Sequence, residues 1–320
     1  MGAYVLRRLA YGVGVVLGVL FLLFVLFFAV TEPEDIARKA LGDKAPPEAV
    51  AIWLENHGYD RPLWPWQNFQ ENLLFDHYRK MLTFDFGLSD ADDSPIVDRI
   101  KAGAGPSLSL TVPLLVLSLL AAIPLSLLVA FFRETYIDRM GVFLCVLAMS
   151  VSTLLYIIGG QYIIGKLLRW YPISGFDADP LLLPRFLALP ILVGILSGIG
   201  GDVRFYRTVF LEESGRDFVR TARAKGASEP RIMTRHVLRN ALIPILTRVV
   251  LAIPFLFMGS LLLEAFFGIP GLGSMTFDAI QANDFATLRT MVYVGALLFI
   301  FGQVATDISY GFVDPRVRVE

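Results

Sequence analysis

The chain has 320 residues, of which 55% are hydrophobic and only 18% charged, with 25 Phe, a mean hydropathy of +0.62 and a formal net charge of −1. A soluble domain carries about 25% charged residues, so the composition excludes an ordinary water-soluble globule, and the near-zero net charge gives no ground for a nucleic-acid partner. The single cysteine, Cys145, excludes an intramolecular disulfide and a cysteine-based zinc site; it reads as a small apolar packing residue.

A bilayer crossing takes roughly 17–25 apolar residues. In chain order the candidates are Leu9 to Val30, Ser107 to Phe132, Gly141 to Leu168 with an interruption at Gly159-Gly160, Phe186 to Gly201 extended towards Tyr206, Ala241 to Leu263 carrying Arg248, and Met291 to Phe312 carrying Asp307. The first run follows Arg7-Arg8 but exceeds the roughly 7–15 apolar residues of a signal peptide, and "FAVTEPED" is a poor cleavage site. The expected fold is therefore all-α, a polytopic membrane protein of six transmembrane helices. Its divisions are an N-terminal helix over 1–31, an external segment over 32–106 and a five-helix core over 107–320, with the loop 207–240 inside that core.

Lysines and arginines set the orientation. Arg7 and Arg8, Arg133 and Arg139, the loop with Arg207, Arg216, Arg220, Arg223, Lys225, Arg231, Arg235 and Arg239, and Arg316 with Arg318 all fall on one side after six crossings. The segment Thr31–Pro106 is acidic and falls on the other. Both termini are expected in the cytoplasm.

Within the external segment, "PEAVAIWLENHG" has helical spacing, started by Pro46 or Pro47 and ended by Gly58, and a second amphipathic run covers Trp66 to Met81. Trp53, Trp64 and Trp66 suit a headgroup level. His57 and His77 lack metal-ligand spacing and no metal site is expected.

The stretch "RTARAKGASEPRIMTRHVLRN" reads as two helices around a tight corner. Arg216 to Lys225 forms the first; Gly226 suits a left-handed helix end, Ser228 an N-cap, Glu229 and Pro230 a first turn, and Arg231 to about Leu238 a short second helix on the membrane surface. Residue chemistry alone leaves two uses open: a rigid knob read by a partner, or a cationic anchor on lipid phosphates. In "EAFFGIPGLGSMTFDAIQANDF", unsatisfied glycines and Pro require burial in protein; the segment is expected to fold back as an outer gate of Glu264, Phe267, Pro270 and Gly271, with Glu264 at the rim. A carboxylate at the depth of Asp307 wants a cation, and Arg204 or Arg248 is the expected partner.

"DFVRTARAKGASEPRIMTRHVLRNALIPILT" resembles the cytoplasmic loop of bacterial ABC importer permeases of the oligopeptide, dipeptide and nickel branch, with Arg220-Thr221-Ala222 at the Glu-Ala-Ala start and Gly226 in place. "MGAYVLRRLAYGV", "GYDRPLWPWQNF", "FDFGLS", "GSLLLEAFFGIPGLGSM" and "TDISYGFVDPRVRVE" are similar to other parts of that branch. Departures are "TEPED" after helix one, "VSTLLYIIGG" in helix three without the usual Pro, and Gln303 in helix six. The resemblance implies a non-catalytic permease subunit of the bacterial inner membrane. It would pair with a homologous second permease and dock Arg220, Thr221, Ala222, Arg223, Ala224, Lys225, Gly226, Ala227, Ser228 and Glu229 on two cytoplasmic ATPase subunits. ATP and Mg would bind those subunits and no cofactor this chain, while an external solute-binding protein delivers peptides or similar small solutes. "GIPGLGS" has no Lys and is not a phosphate-binding loop. A secondary, ion-coupled transporter is the alternative, needing intramembrane ionisable groups; Asp202, Arg204, Arg248, Glu264 and Asp307 all lie near helix ends.

Overall fold

The computed structural model describes residues 2–30, 33–42, 44–64, 66 and 72–313, and their side chains except at 2–5, 40 and 305–313. The described chain is helical: α1 Gly2–Phe24, continued by a π turn over Val25–Ala29, α2 Pro33–Leu41, α3 Pro47–His57, α4 Leu73–Leu82, α5 Ile96–Phe131, α6 Tyr136–Ser150 and α7 Thr153–Leu167. Then follow α8 Leu183–Ser214, α9 Asp217–Ala224, α10 Glu229–Met258, α11 Leu261–Phe267, α12 Leu272–Ala282 and α13 Phe285–Val313. Among the described residues, five helices are long and apolar enough to cross a membrane, and the pair α6 and α7, bent by 87°, supplies a sixth if it is one span. The protein is an all-α polytopic membrane protein.

Several boundaries differ from the sequence expectation, each for a local reason. α5 starts at Ile96 rather than Ser107, because Pro106 lies inside the helix instead of ending the loop; neighbouring helices and hydroxyls make such prolines tolerable in membrane helices. The third apolar run breaks at Val151 and Ser152, whose backbones are extended (ψ 129 and 142), and not at Gly159-Gly160, which are helical. α8 runs on to Ser214. The short surface helix after the corner is the start of α10, made continuous with the fifth span by a π turn over Ile232–Val237. That span ends at Met258, and Gly259 (φ 72) separates α11 from it.

Two compact units are present: Met1–Ser107 with Ile253–Leu261 and Pro270–Glu320, and Leu108–Ala252 with Leu262–Ile269. In the first, the core gathers Leu20, Phe24, Phe27 and Phe28 of α1 with Ile36, Val50, Trp53, Met81, Ile96, Met291 and Tyr293. Trp53 is in this core, stacked on His57 and Tyr59 at 4.0 and 5.6 Å between ring centres; Trp64 and Trp66 stack on each other at 4.9 Å. α3 ends as read, at Gly58 with φ 70, and α4 is capped by Asn72, whose side chain accepts from Phe75 N at 2.8 Å; of the expected run from Trp66, residues 67–71 lie outside the described residues.

Two buried carboxylates then cap α13. Asp284 Oδ1 accepts from Thr287 N (3.0 Å) and Asp90 N (3.1 Å), Ser89 Oγ donates to Asp284 Oδ2 (2.6 Å), and Asp90 Oδ2 accepts from Ala286 N (2.8 Å). The helix N-terminus favours both charges, while burial pushes the Asp90 carboxyl above its ordinary range against the opposing pull of Arg289.

The second unit has two apolar cores. One joins α8 to the corner region through Val203, Tyr206, Phe210, Val219, Ala222, Ile232, Met233 and Val237, and the other joins α7, α8 and α11 through Ile157, Leu189, Val193, Leu263 and Phe267.

Candidate functional site

The corner between α9 and α10 is built by a complete Schellman motif. The Ala227 N–H donates to Ala222 C=O (3.2 Å), the Gly226 N–H to Arg223 C=O (3.0 Å), and Gly226 takes φ 80, which a residue with a Cβ adopts only with strain. Ser228 stands extended at the N-cap of α10, its carbonyl accepting from Ile232 N at 2.9 Å, with no side-chain cap bond. Across the corner Arg223 makes a two-point ion pair with Glu229, Nε to Oε1 at 2.6 Å and Nη2 to Oε2 at 3.1 Å. This clasp was not read from the sequence; opposite charges flanking a helix-ending glycine are the signal that it left.

Val219 and Ala222 are buried in a core shared with the start of α10 and with α8, while Arg220, Thr221, Arg223, Ala224, Lys225, Gly226, Ser228 and Glu229 are exposed and Ala227 is half-buried. The corner is therefore a knob whose foot is fixed in the unit's own core and whose crown is free. Ala222 is small because it meets its own core, and Glu229 spends its charge on Arg223.

The expected outer-gate residues lie in two separately packed places. Glu264 is fully buried, not at a rim, and Phe267 is 1% exposed in the α7–α8–α11 core. Their stretch is held by its backbone: Gly175 N donates to Phe267 C=O (2.8 Å), Gln161 Nε2 to Phe266 C=O (2.9 Å), and Ile269 N to Glu264 C=O (2.9 Å). Pro270 and Gly271 belong to the first unit. There Gly271 caps α12 through Ser274 Oγ (3.0 Å), and α5 approaches so closely that a Cβ on Gly103 would lie 3.1 Å from Gly271 carbonyl carbon.

Of the inner-face charges, Arg248 is taken by Asp202: Nη2 to Oδ1 at 2.7 Å, with the guanidinium 4.4 Å from the Phe205 ring centre. The side chain of Asp307, expected to pair with Arg204 or Arg248, lies outside the described residues, and Arg204 is exposed. A second pair unread in the sequence, Arg207 with Asp138 at 2.7 and 2.8 Å, ties α8 to α6. Asp202 and Arg248 were expected near helix ends, but α8 runs on to Ser214 and α10 to Met258, so both lie inside their helices; each of the two pairs joins residues far apart in sequence and left no local signal. Among the described residues no group of three or more His, Cys, Asp or Glu is placed to hold a metal.

Residues 122–319 match the family described as the binding-protein-dependent transport system inner membrane component, and this range includes the whole knob. The glutathione transport system permease protein of Salmonella typhimurium is 30% identical over 98% of both chains. A putative peptide transport system permease protein of Brucella abortus is 32% identical over 100% of both, and the dipeptide transport system permease protein of Alkalihalophilus pseudofirmus 28% identical over 99% of this chain and 100% of its own. The chain belongs to the family of inner-membrane permease components of binding-protein-dependent ABC importers, in its peptide and nickel branch.

Proposed function

We propose that this permease subunit forms half of a path for peptides or similar small solutes, with its knob docked on a cytoplasmic ATPase. The carrying observation is the corner: a Schellman turn clasped by Arg223–Glu229 over a foot buried in the core that α9 shares with the start of α10 and α8, with a polar, exposed crown. A lipid anchor needs only cationic charge, whereas this geometry fixes shape as well, as a part that receives force from another protein must. Closure of two ATPase subunits would reach the membrane as rigid-body tilt of α8 and α10, and ATP with Mg would bind those subunits. A homologous permease supplies the other half of the path and an external binding protein delivers the solute. The names of the relatives, glutathione, peptide and dipeptide permeases, support the solute class. Both termini and the knob face the cytoplasm on the distribution of arginines, and family membership removes the motive for an ion-coupled reading.

Gly226→Val tests this. A Cβ at Gly226 meets nothing within 4 Å in this chain, so only the left-handed strain, roughly 1–2 kcal/mol, is imposed on an exposed corner. The variant is expected to insert normally, to lose co-purifying ATPase and to stop transport, while Arg231→Lys does neither. Normal ATPase retention by Gly226→Val would falsify the docking role.

A further inference from the structure

We propose that α4 is an interfacial helix seated in the bilayer, in the leaflet on the side of the 32–106 segment, with its Phe75–Tyr78–Leu82 face against acyl chains. The helix is amphipathic by position. Phe75, Tyr78 and Leu82 share one stripe, whereas Leu73, His77 and Met81 are buried in the unit's core. Phe75 is 62% exposed, Leu82 49%, and Phe84 just past the helix end 58%, a run of apolar surface that water would penalise.

Where α4 is attached decides what covers it. Tyr78 OH donates to Leu17 C=O at 2.8 Å, and His77 Nε2 lies 3.1 Å from Leu20 C=O. These carbonyls are not at the end of the membrane span Leu6–Ala29 but about 14–18 Å short of Ala29, at 1.5 Å per residue. Beyond them one face of α1 enters the core of its unit through Phe24, Phe27 and Phe28 while Leu22 and Leu26 stay exposed, so α4 lies beside the half of the span nearest the 32–106 segment.

Leu82 also lines an apolar groove of about 630 Å³ together with Leu9, Val13 and Leu17 of α1 and Phe301 of α13. Those are exposed apolar side chains of two membrane spans, and their surroundings are hydrocarbon. The α4 face continues that surface, and hydrocarbon is its occupant too. Arg79, exposed next to the stripe, reaches headgroup phosphates, as basic residues of interfacial helices do.

Single cysteines at Phe75, Leu82 and Phe84, in a Cys145→Ala background, would carry a nitroxide in the full chain reconstituted into phosphatidylglycerol–phosphatidylethanolamine nanodiscs. Collision with oxygen reports hydrocarbon, and collision with a water-soluble nickel chelate reports water. All three sites are expected to favour oxygen several-fold over a Glu55→Cys control on the exposed side of α3. Nickel accessibility equal to that control at Phe75 and Leu82 overturns the proposal. So does a face open to nickel that becomes shielded only when an external binding protein is added, because that face would then be a protein dock.

Discussion

His77 shows how one buried side chain can matter to stability. Its Nε2 faces the Leu20 carbonyl, so that nitrogen carries the proton and Nδ1 is left as an unpartnered acceptor in the core. Burial, with help from nearby Arg289, lowers its pKa from 6.5 to about 3. Above pH 6.5 the ring is neutral in both folded and unfolded chains. As pH falls from 6.5 towards 3 only the unfolded chain takes up the proton, so stability is lost by up to about 1.4 kcal/mol per pH unit. Between pH 7 and 5 the ceiling is about 2 kcal/mol. His77→Gln keeps a donor for Leu20 and does not titrate. It is expected to flatten the pH dependence of thermal unfolding in that window, and an unchanged slope would refute the assignment.

At the scale of elements, glycine in α8 separates packing from flexibility. A Cβ on Gly200 would lie 2.6 Å from the Cys145 carbonyl oxygen of α6, a backbone atom that cannot step aside, whereas one on Gly198 meets nothing within 4 Å. Small residues let membrane helices approach closely. Gly200→Ala is therefore expected to lower stability by about 1–3 kcal/mol through overpacking, and Gly198→Ala to leave it level or slightly raised, measured as melting in detergent. Equal effects would remove the contact argument. The same distinction explains what the sequence made legible. α3 and the corner at Gly226 were readable because Pro and Gly there meet the backbone demands of helix ends. Gly159-Gly160 misled because Gly160 serves a helix contact, its missing Cβ position 2.5 Å from Val193 Cγ2, while the break at Val151 and Ser152 carries no glycine or proline. The buried placement of Ala222 and Glu264 was unreadable, since a short polar or small residue near a helix end looks the same whether it meets its own chain, a partner or water.

For the whole molecule, orientation hangs on parity. Five crossings would put the basic loop around the knob on the same side as the acidic 32–106 segment; six put it opposite, as the arginine distribution requires. The bent α6–α7 pair must then count as one crossing. A reporter fused after Asp90 is expected outside and one after Glu229 inside. Finding both on the same face would mean that the pair is re-entrant and would overturn the placement of the knob.

That right-angle bend also limits how the third crossing fits a bilayer. Each arm has 15 residues, about 22 Å of helix, and neither alone covers a hydrocarbon layer of about 30 Å. Joined at 87°, the two arms reach about 32 Å from tip to tip, the diagonal of a square with 22 Å sides. A pair that carries the chain across must therefore lean both arms by about 45°, with no length to spare. A pair that crosses in this way is a V laid on its side, its apex at Val151 and Ser152 near mid-membrane, where the peptide groups of the break need protein cover.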